Sequence, residues 1–167
     1  MGAFVHSHLR KNDIQVVLSG GAVVAIYSRG EYVSRDLDLV NLFAANRKTI
    51  RKAMQDLGFR EEGRYFRHPD SQFLIEFPPG PLTVGTEPVR EISERKYSTG
   101  ILRILSPTDC VKDRLAAFYH WGDNQCLIQA VMVTRAQAVD LMEIKRWSTA
   151  EGKAAEYELI KVRFIAE

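Results

Sequence analysis

The sequence has little of what marks secreted, membrane-spanning or zinc-finger proteins. Among 167 residues only Cys110 and Cys126 are cysteines, and both lie in segments with a helical pattern. Two separated thiols give neither a disulfide framework nor a zinc pattern, and they favour a reducing compartment. No apolar run approaches the length of a membrane span, and the opening MGAFVHSHLRKND lacks the apolar core of a secretion signal. We therefore expect a soluble cytoplasmic protein without a membrane partner.

A strong charge of one sign is also lacking. The chain has 23 basic and 21 acidic residues and a formal net charge of +2, so overall charge gives no drive toward nucleic acid. Hydrophobic residues make up 46% and charged residues 26% of the chain, which is the composition of an ordinary globular protein. The length suits one compact core or a small domain with an appended helical part.

Apolar periodicity divides the chain at about Ser106. In residues 1–105 strand and helix patterns alternate, and from Ser106 onward the pattern is helical, with Ser106 and Asp140 as N-caps. The opening residues are expected to be mobile, and 78–100 to be mostly loop. The expected strands are 13–20, 35–40, 64–69, 71–79 and 100–105. The expected helices are 21–30, 46–58, one from Ser106 to the Gly122 turn, 124–138, one from Asp140, and a last one through Phe164.

The segment SRDLDLV places two acids inside an apolar strand. Residues i and i+2 of a strand point to the same side, so Asp36 and Asp38 present neighbouring carboxylates while Leu37 and Leu39 pack inward. Two such carboxylates repel unless a positive charge lies between them, and oxygen ligands of this kind suit Mg²⁺. The alternative, in which one aspartate caps a turn and the other pairs with Arg35 or Arg29, explains the two acids equally well, since acid-x-acid is common by chance.

The preceding LSGG favours the metal interpretation. Gly20 and Gly21 lie between an apolar strand and a helix, where the lack of side chains lets backbone N–H groups approach phosphate oxygens. Ser19 adds a hydroxyl. A Gly-Gly pair alone indicates only a tight turn, but a phosphate cradle followed by a carboxylate pair is typical of a nucleoside triphosphate bound through Mg²⁺.

Phosphoryl transfer of this kind needs a third acid, and Glu76 in FLIEF is the candidate. It is a charge in an otherwise apolar strand, where it needs a partner or a metal. A solvent-facing position on an edge strand is the alternative, and the loop residues Asp70 and Glu87 are weaker competitors. Lys112, about one helical turn after the last strand, is placed to reach a phosphate, but it fits a solvated surface lysine equally well.

Together, LSGG, SRDLDLV and FLIEF resemble the nucleotidyltransferase superfamily, which has the DNA polymerase beta-like fold. The resemblance covers roughly residues 14–105, and the helical part is similar to small bacterial members, including abortive-infection and toxin–antitoxin types. It implies an α+β fold: a mixed β-sheet flanked by helices in residues 1–105, followed by a C-terminal helical bundle in residues 106–167 packed on that core. The sequence departs from the family's pattern in a longer gap between Gly21 and Asp36 and in a glutamate as third acid.

The resemblance also implies roles for named residues. Ser19, Gly20 and Gly21 would contact the triphosphate, with Lys112 as a further contact. The metal would be held by Asp36, Asp38 and Glu76, with Glu76 also as base. The implied cofactor is Mg²⁺, as two ions, with Mn²⁺ as the substitute.

Three functions compete at this level. The first is a Mg²⁺-dependent enzyme that transfers a nucleoside monophosphate from a nucleoside triphosphate to a hydroxyl of an RNA, protein or small molecule. The second is a non-catalytic regulator, such as an antitoxin, that keeps the fold and binds nucleotide or a partner; the presence of all three acids favours the enzyme. The third is nucleic-acid binding by a basic helix face. This interpretation is less favoured than a helix face that is simply exposed to solvent. The helical half leaves open a homodimer or a partner protein. The basic face is formed by Arg47, Lys48, Arg51 and Lys52.

Overall fold

The computed structural model describes residues 1–165, which form a seven-stranded mixed sheet and a separate two-stranded hairpin, with helices packed around them. The strand order in the large sheet is β3-β4-β5-β2-β1-β9-β8, and β6 pairs with β7. The strands are β1 (Val16–Ser19), β2 (Asp36–Asn41), β3 (Arg60–Glu62), β4 (Tyr65–Arg67), β5 (Leu74–Glu76), β6 (Thr83–Val84), β7 (Glu87–Pro88), β8 (Ile92–Tyr97) and β9 (Gly100–Leu105).

The helices frame this sheet and then follow it along the chain. Before the last strand lie α1 (Gly2–Lys11), α2 (Gly21–Tyr27) and α3 (Arg47–Asp56). After it come α4 (Pro107–Trp121), α5 (Asn124–Ala136), α6 (Leu141–Ala150), α7 (Ala154–Ile160) and α8 (Val162–Ile165). None of the described helices is long and apolar enough to cross a membrane.

Local capping fixes the beginnings of several helices. The Ser106 hydroxyl accepts a hydrogen bond from the Asp109 N–H, and Pro107 occupies the first turn of α4. The Asp140 carboxylate accepts from the Glu143 N–H at the start of α6. These contacts satisfy N–H groups that have no partner within the helix, as the N-cap predictions at Ser106 and Asp140 required.

Strand alternation gives the large sheet two different faces. Leu18, Leu37, Phe66 and Ile75 are buried on one face, where Arg47 of α3 lies over the Phe66 ring. The other face carries the side chains of the opposite parity, among them the acids of β2 and β5. One hydrophobic cluster joins the sheet to the later helices, since it includes Ile104 of β9 and Leu115 of α4.

The α+β class is confirmed, whereas several local expectations are wrong. The first residues are not an unstructured segment but α1, which buries Val5 and Leu9 and packs against β9. Residues 78–100 hold more strand than expected, because β6, β7 and β8 lie within them. The last expected helix is interrupted at Lys161, and α2 ends at Tyr27 rather than Gly30. Residues 166–167 of the predicted helical bundle lie outside the described residues.

Candidate active site

The pairing of three strands gathers the predicted acids at one edge. Strands β1 and β2 are antiparallel with Ser19 opposite Asp38, and β2 and β5 are parallel with Asp38 opposite Glu76. Asp36 is two residues before Asp38 on the same strand, so all three carboxylates leave the same face of the sheet. The structure thus brings together Ser19, Asp36, Asp38 and Glu76, which are dispersed over 58 positions of the sequence.

The Gly20 turn lies directly against Asp38. Gly20 has φ 72° and ψ −158°, a conformation that is essentially restricted to glycine. A Cβ added at Gly20 would overlap Oδ2 of Asp38 and lie 3.3 Å from its Cγ. A Cβ at Gly21 would lie 3.3 Å from the Tyr32 ring and 3.4 Å from the Ser34 hydroxyl. Gly20 therefore has a second role that the sequence did not show, which is to admit the Asp38 carboxylate beside the turn.

Asp38 is the acid whose charge is least favoured. Burial raises its pKa to about 6, and the neighbouring charges of Glu76 and Asp36 act in the same direction. Arg114 of α4 opposes them by lowering this pKa. Like charges that are held together in a partly buried place favour any cation that can enter between them.

This pKa has a measurable effect on stability. Because the pKa of Asp38 is about 6 in the folded protein and 3.8 ordinarily, the folded state retains a proton between these values that the unfolded state has released. The free energy of unfolding should therefore fall as the pH rises through that window, by about 1–3 kcal/mol from this group. Denaturant unfolding in EDTA at about pH 4 and about pH 7 should show Asp38→Asn gaining stability relative to the wild type. A difference that does not change with pH would contradict this prediction.

Glu76 has a cationic partner of its own. The Arg64 Nε atom lies 3.4 Å from Glu76 Oε2. Arg64 belongs to the turn between β3 and β4, and its side chain is 68% exposed. Within residues 1–165 no three His, Cys, Asp or Glu side chains are grouped so as to hold a metal ion. The three acids share an edge, but Glu76 is directed to an arginine.

A second cation near the acids was not among the predicted site residues. Arg114 is mostly buried and forms an ion pair with Asp113 beside it on α4. Its Nη1 also lies 3.4 Å from Gln129 Oε1 of α5, so two helices hold it in place.

Lys112 is engaged elsewhere. Its Nζ lies 2.8 Å from Asp109 Oδ1 and 3.2 Å from Glu143 Oε1, and its side chain is only 8% exposed. Successive α-helical residues are about 100° apart, so Lys112 and Arg114 point to nearly opposite sides of α4. The structure therefore does not bring Lys112 to the edge that carries Asp38, because Lys112 links α4 to α6.

Lys112→Met should accordingly lower stability without changing affinity for nucleotide. The substitution keeps the apolar stem but leaves Asp109 buried without its cation, at a cost of about 2–4 kcal/mol in the free energy of unfolding. Lys145→Met is the matched control, since Lys145 is 54% exposed and pairs with Glu158, and it should cost about 0–1 kcal/mol. Loss of nucleotide affinity in a folded Lys112→Met protein would instead support the predicted phosphate contact.

The remaining candidates lie in other contacts. Glu87 Oε2 is 2.6 Å from Arg146 of α6, and Asp70 is exposed in the turn between β4 and β5. His120 Nε2 is 3.5 Å from Glu151. On the basic face of α3, Arg47 and Arg51 both pair with Glu61 of β3, so two of its four cations share one carboxylate within the protein.

Comparison with solved structures identifies the fold. An antigenic nucleotidyltransferase-like protein from Paracoccidioides brasiliensis superposes with a TM-score of 0.61 at 11% identity, over 93% of this chain and 88% of that chain. The antibiotic-resistance factor ANT(2'')-Ia superposes with a TM-score of 0.57 at 13% identity, over 93% of this chain and 91% of that chain. No family model and no curated protein sequence matches the chain. The chain thus has the nucleotidyltransferase-like fold predicted from LSGG, SRDLDLV and FLIEF, and the similarity reaches into the helical part.

Proposed function

We propose that the protein is a Mg²⁺-dependent nucleotidyltransferase that transfers a nucleoside monophosphate from a nucleoside triphosphate to a hydroxyl acceptor. One observation carries this proposal, namely the position of Asp38 between the Gly20 turn on β1 and Glu76 on β5. A phosphate-binding turn and a set of carboxylates are the two parts that this reaction needs at one place.

The residues present fit Mg²⁺. Asp36, Asp38 and Glu76 offer only carboxylate oxygens, and Mg²⁺ is commonly bound by one or two carboxylates together with water and substrate phosphates. Asp36 is exposed and Asp38 half-buried, so the pair is open to a ligand on the acid-bearing face. A cation here would also relieve the repulsion that raises the pKa of Asp38 to about 6. We assign two Mg²⁺ ions, with Mn²⁺ able to substitute.

Each residue has a defined part in the proposed reaction. The acceptor hydroxyl forms a bond to the α-phosphorus, the bond from that phosphorus to the bridging oxygen breaks, and pyrophosphate leaves. When bound, Mg²⁺ supplies neutralisation of the charge on the α-phosphate and the leaving group. Asp36 and Asp38 would hold it, while Ser19, Gly20 and Gly21 would position the triphosphate. Glu76 accepts the proton of the hydroxyl.

Arg114 supports the phosphate end of the site in this proposal. Its guanidinium is held by Asp113 and α5, and it is the cation that lowers the pKa of Asp38. Because its Nε and Nη2 donate to Asp113 and its Nη1 donates to Gln129, it contributes a fixed positive charge near the phosphates rather than a free pair of donors. It thus takes the part predicted for Lys112.

Binding and turnover should be measured together. Calorimetry with ATP, GTP, CTP and UTP, with and without Mg²⁺, is expected to show binding of at least one triphosphate that requires the metal. Mass spectrometry of a mixture of total RNA, protein and metabolites, incubated with labelled triphosphates, is expected to show one added nucleoside monophosphate on an acceptor. Binding without turnover against any fraction of this mixture would favour the non-catalytic regulator.

A further inference from the structure

Two cations lie near the three acids, and they differ in how firmly they are held. Arg114 is mostly buried, and its ion pair with Asp113 fixes it between α4 and α5. Arg64 lies on the β3–β4 turn, and its side chain is 68% exposed. In the described part of the chain, Glu76 is the only acid within 4.0 Å of the Arg64 guanidinium. Arg64 is therefore the cation that can leave.

The Arg64 side chain is guided toward Glu76 by the turn and by Tyr65. Its backbone carbonyl accepts a hydrogen bond of 3.0 Å from Arg47 Nη2, which ties the turn to α3. Its guanidinium stacks on the Tyr65 ring at 4.8 Å and donates to the Tyr65 hydroxyl. Tyr65 is the register partner of Glu76 on β5. The arginine is thus laid across the acid-bearing face, next to the carboxylate proposed as third metal ligand.

The contact with Glu76 is a weak one. The ion pair of 3.4 Å lies at the surface, and exposed pairs of this kind are easily broken and screened by salt. Its position nevertheless conflicts with the proposed function, because Glu76 cannot give both its oxygens to a metal ion while it pairs with the guanidinium. A metal ion that binds Glu76 must displace Arg64. The released guanidinium then lies beside the phosphates that arrive with the nucleotide.

We propose that Arg64 is the counter-ion of Glu76 before metal binds and a triphosphate-binding residue afterwards, so that metal ion and nucleotide bind cooperatively. The proposal rests on the proposed function of the same site. Metal alone would meet a competitor at Glu76, whereas metal with a triphosphate would give the displaced cation a new partner.

The test uses Arg64→Gln with Arg67→Gln as the matched control. Arg67 lies on β4 three residues after Arg64, is 52% exposed, and pairs at 2.8 Å with Glu62 outside the site. Two affinities are measured on the full chain. One is for Mn²⁺ alone, from the electron paramagnetic resonance signal of the free ion. The other is for inorganic tripolyphosphate in the presence of Mg²⁺, by calorimetry, which avoids any dependence on the base.

Opposite changes are expected in the two affinities. Arg64→Gln should bind Mn²⁺ roughly three- to fivefold more tightly than the wild type because a competitor is removed. It should bind tripolyphosphate roughly tenfold more weakly because a charged donor is lost. Arg67→Gln should change neither affinity, and all three proteins should melt alike.

The results distinguish the proposed role of Arg64 from the proposed nucleotidyltransferase function. If the wild type binds both ligands and Arg64→Gln matches it in either affinity, the role of Arg64 is wrong while the proposed function stands. If the wild type binds neither Mn²⁺ nor tripolyphosphate, and Asp38→Asn behaves identically, the metal site itself is wrong and both proposals fall.

Discussion

Asp38→Asn should abolish nucleotidyl transfer, with a rate reduced on the order of a thousandfold or more, while the protein stays folded. The amide has nearly the same shape as the carboxylate but carries no charge for a metal ion. Asp38 is the acid flanked by Asp36 on its strand, Glu76 on β5 and the Gly20 turn, so its loss removes the central ligand. The rate is measured as label transferred from a triphosphate to acceptor, with unfolding followed in parallel.

Asp70→Asn is the control for this change. Asp70 is exposed in the turn that leads to β5. It is close to Glu76 in the sequence but lies outside the edge formed by β1, β2 and β5. Its substitution should leave transfer within about twofold of the wild type, as for a surface change away from the site. Unchanged transfer by Asp38→Asn would show that the assigned edge is not the active site.

Gly20→Ala should damage both stability and the site. The backbone conformation at Gly20 is one that alanine avoids, and the added methyl group would occupy the place of Asp38 Oδ2. We expect a loss of about 2–4 kcal/mol in the free energy of unfolding, together with loss of Mn²⁺ binding because Asp38 must turn away. Denaturant titration and the free Mn²⁺ signal measure the two effects.

Two further variants separate the close contact from backbone strain. Gly122 has a left-handed backbone with open space around it. Gly122→Ala should therefore lower the free energy of unfolding by only about 1 kcal/mol. In an Asp38→Ala background the methyl group at position 20 no longer meets a carboxylate, so Gly20→Ala should cost less there than in the wild type. Equal costs in the two backgrounds would contradict the close packing of Gly20 and Asp38.

The site could be predicted where its chemistry conflicts with its surroundings. Asp36 and Asp38 interrupt an apolar strand, and Glu76 does the same in FLIEF, so each of these positions needs an explanation beyond packing. Their meeting follows from strand pairing, which the sequence does not specify. The fold class could be predicted from the same residues, since they carry the resemblance to the nucleotidyltransferase superfamily.

Other features gave no such signal. The first helix, α1, has no side-chain cap at Met1 and no acid in its first turn, and it is stabilised by packing against β9, which only the folded chain provides. Strand β8 lies at an edge of the sheet with most of its side chains exposed, so it lacks the apolar alternation by which strands are recognised.

The two cations show a further limit of motif reasoning. Lys112 follows the last strand at a plausible distance, but chain distance does not say which side of α4 a residue faces. Two positions on, Arg114 turns toward the acids instead. Arg64 is separated from Glu76 by a hairpin and meets it only through the register of Tyr65 with Glu76. Both arginines depend on tertiary geometry that no local spacing contains.

The fate of the phosphates tests the central claim most directly. Parallel reactions with triphosphates labelled at the α- or γ-phosphate, supplied with the mixture of RNA, protein and metabolites, distinguish nucleotidyl transfer from other phosphoryl chemistry. We predict that only the α-label appears on an acceptor, that it requires Mg²⁺ or Mn²⁺, and that the γ-label leaves as pyrophosphate. Appearance of the γ-label on the acceptor, or α-label transfer that persists in Asp38→Asn, would contradict the assignment of this edge as a nucleotidyltransferase site.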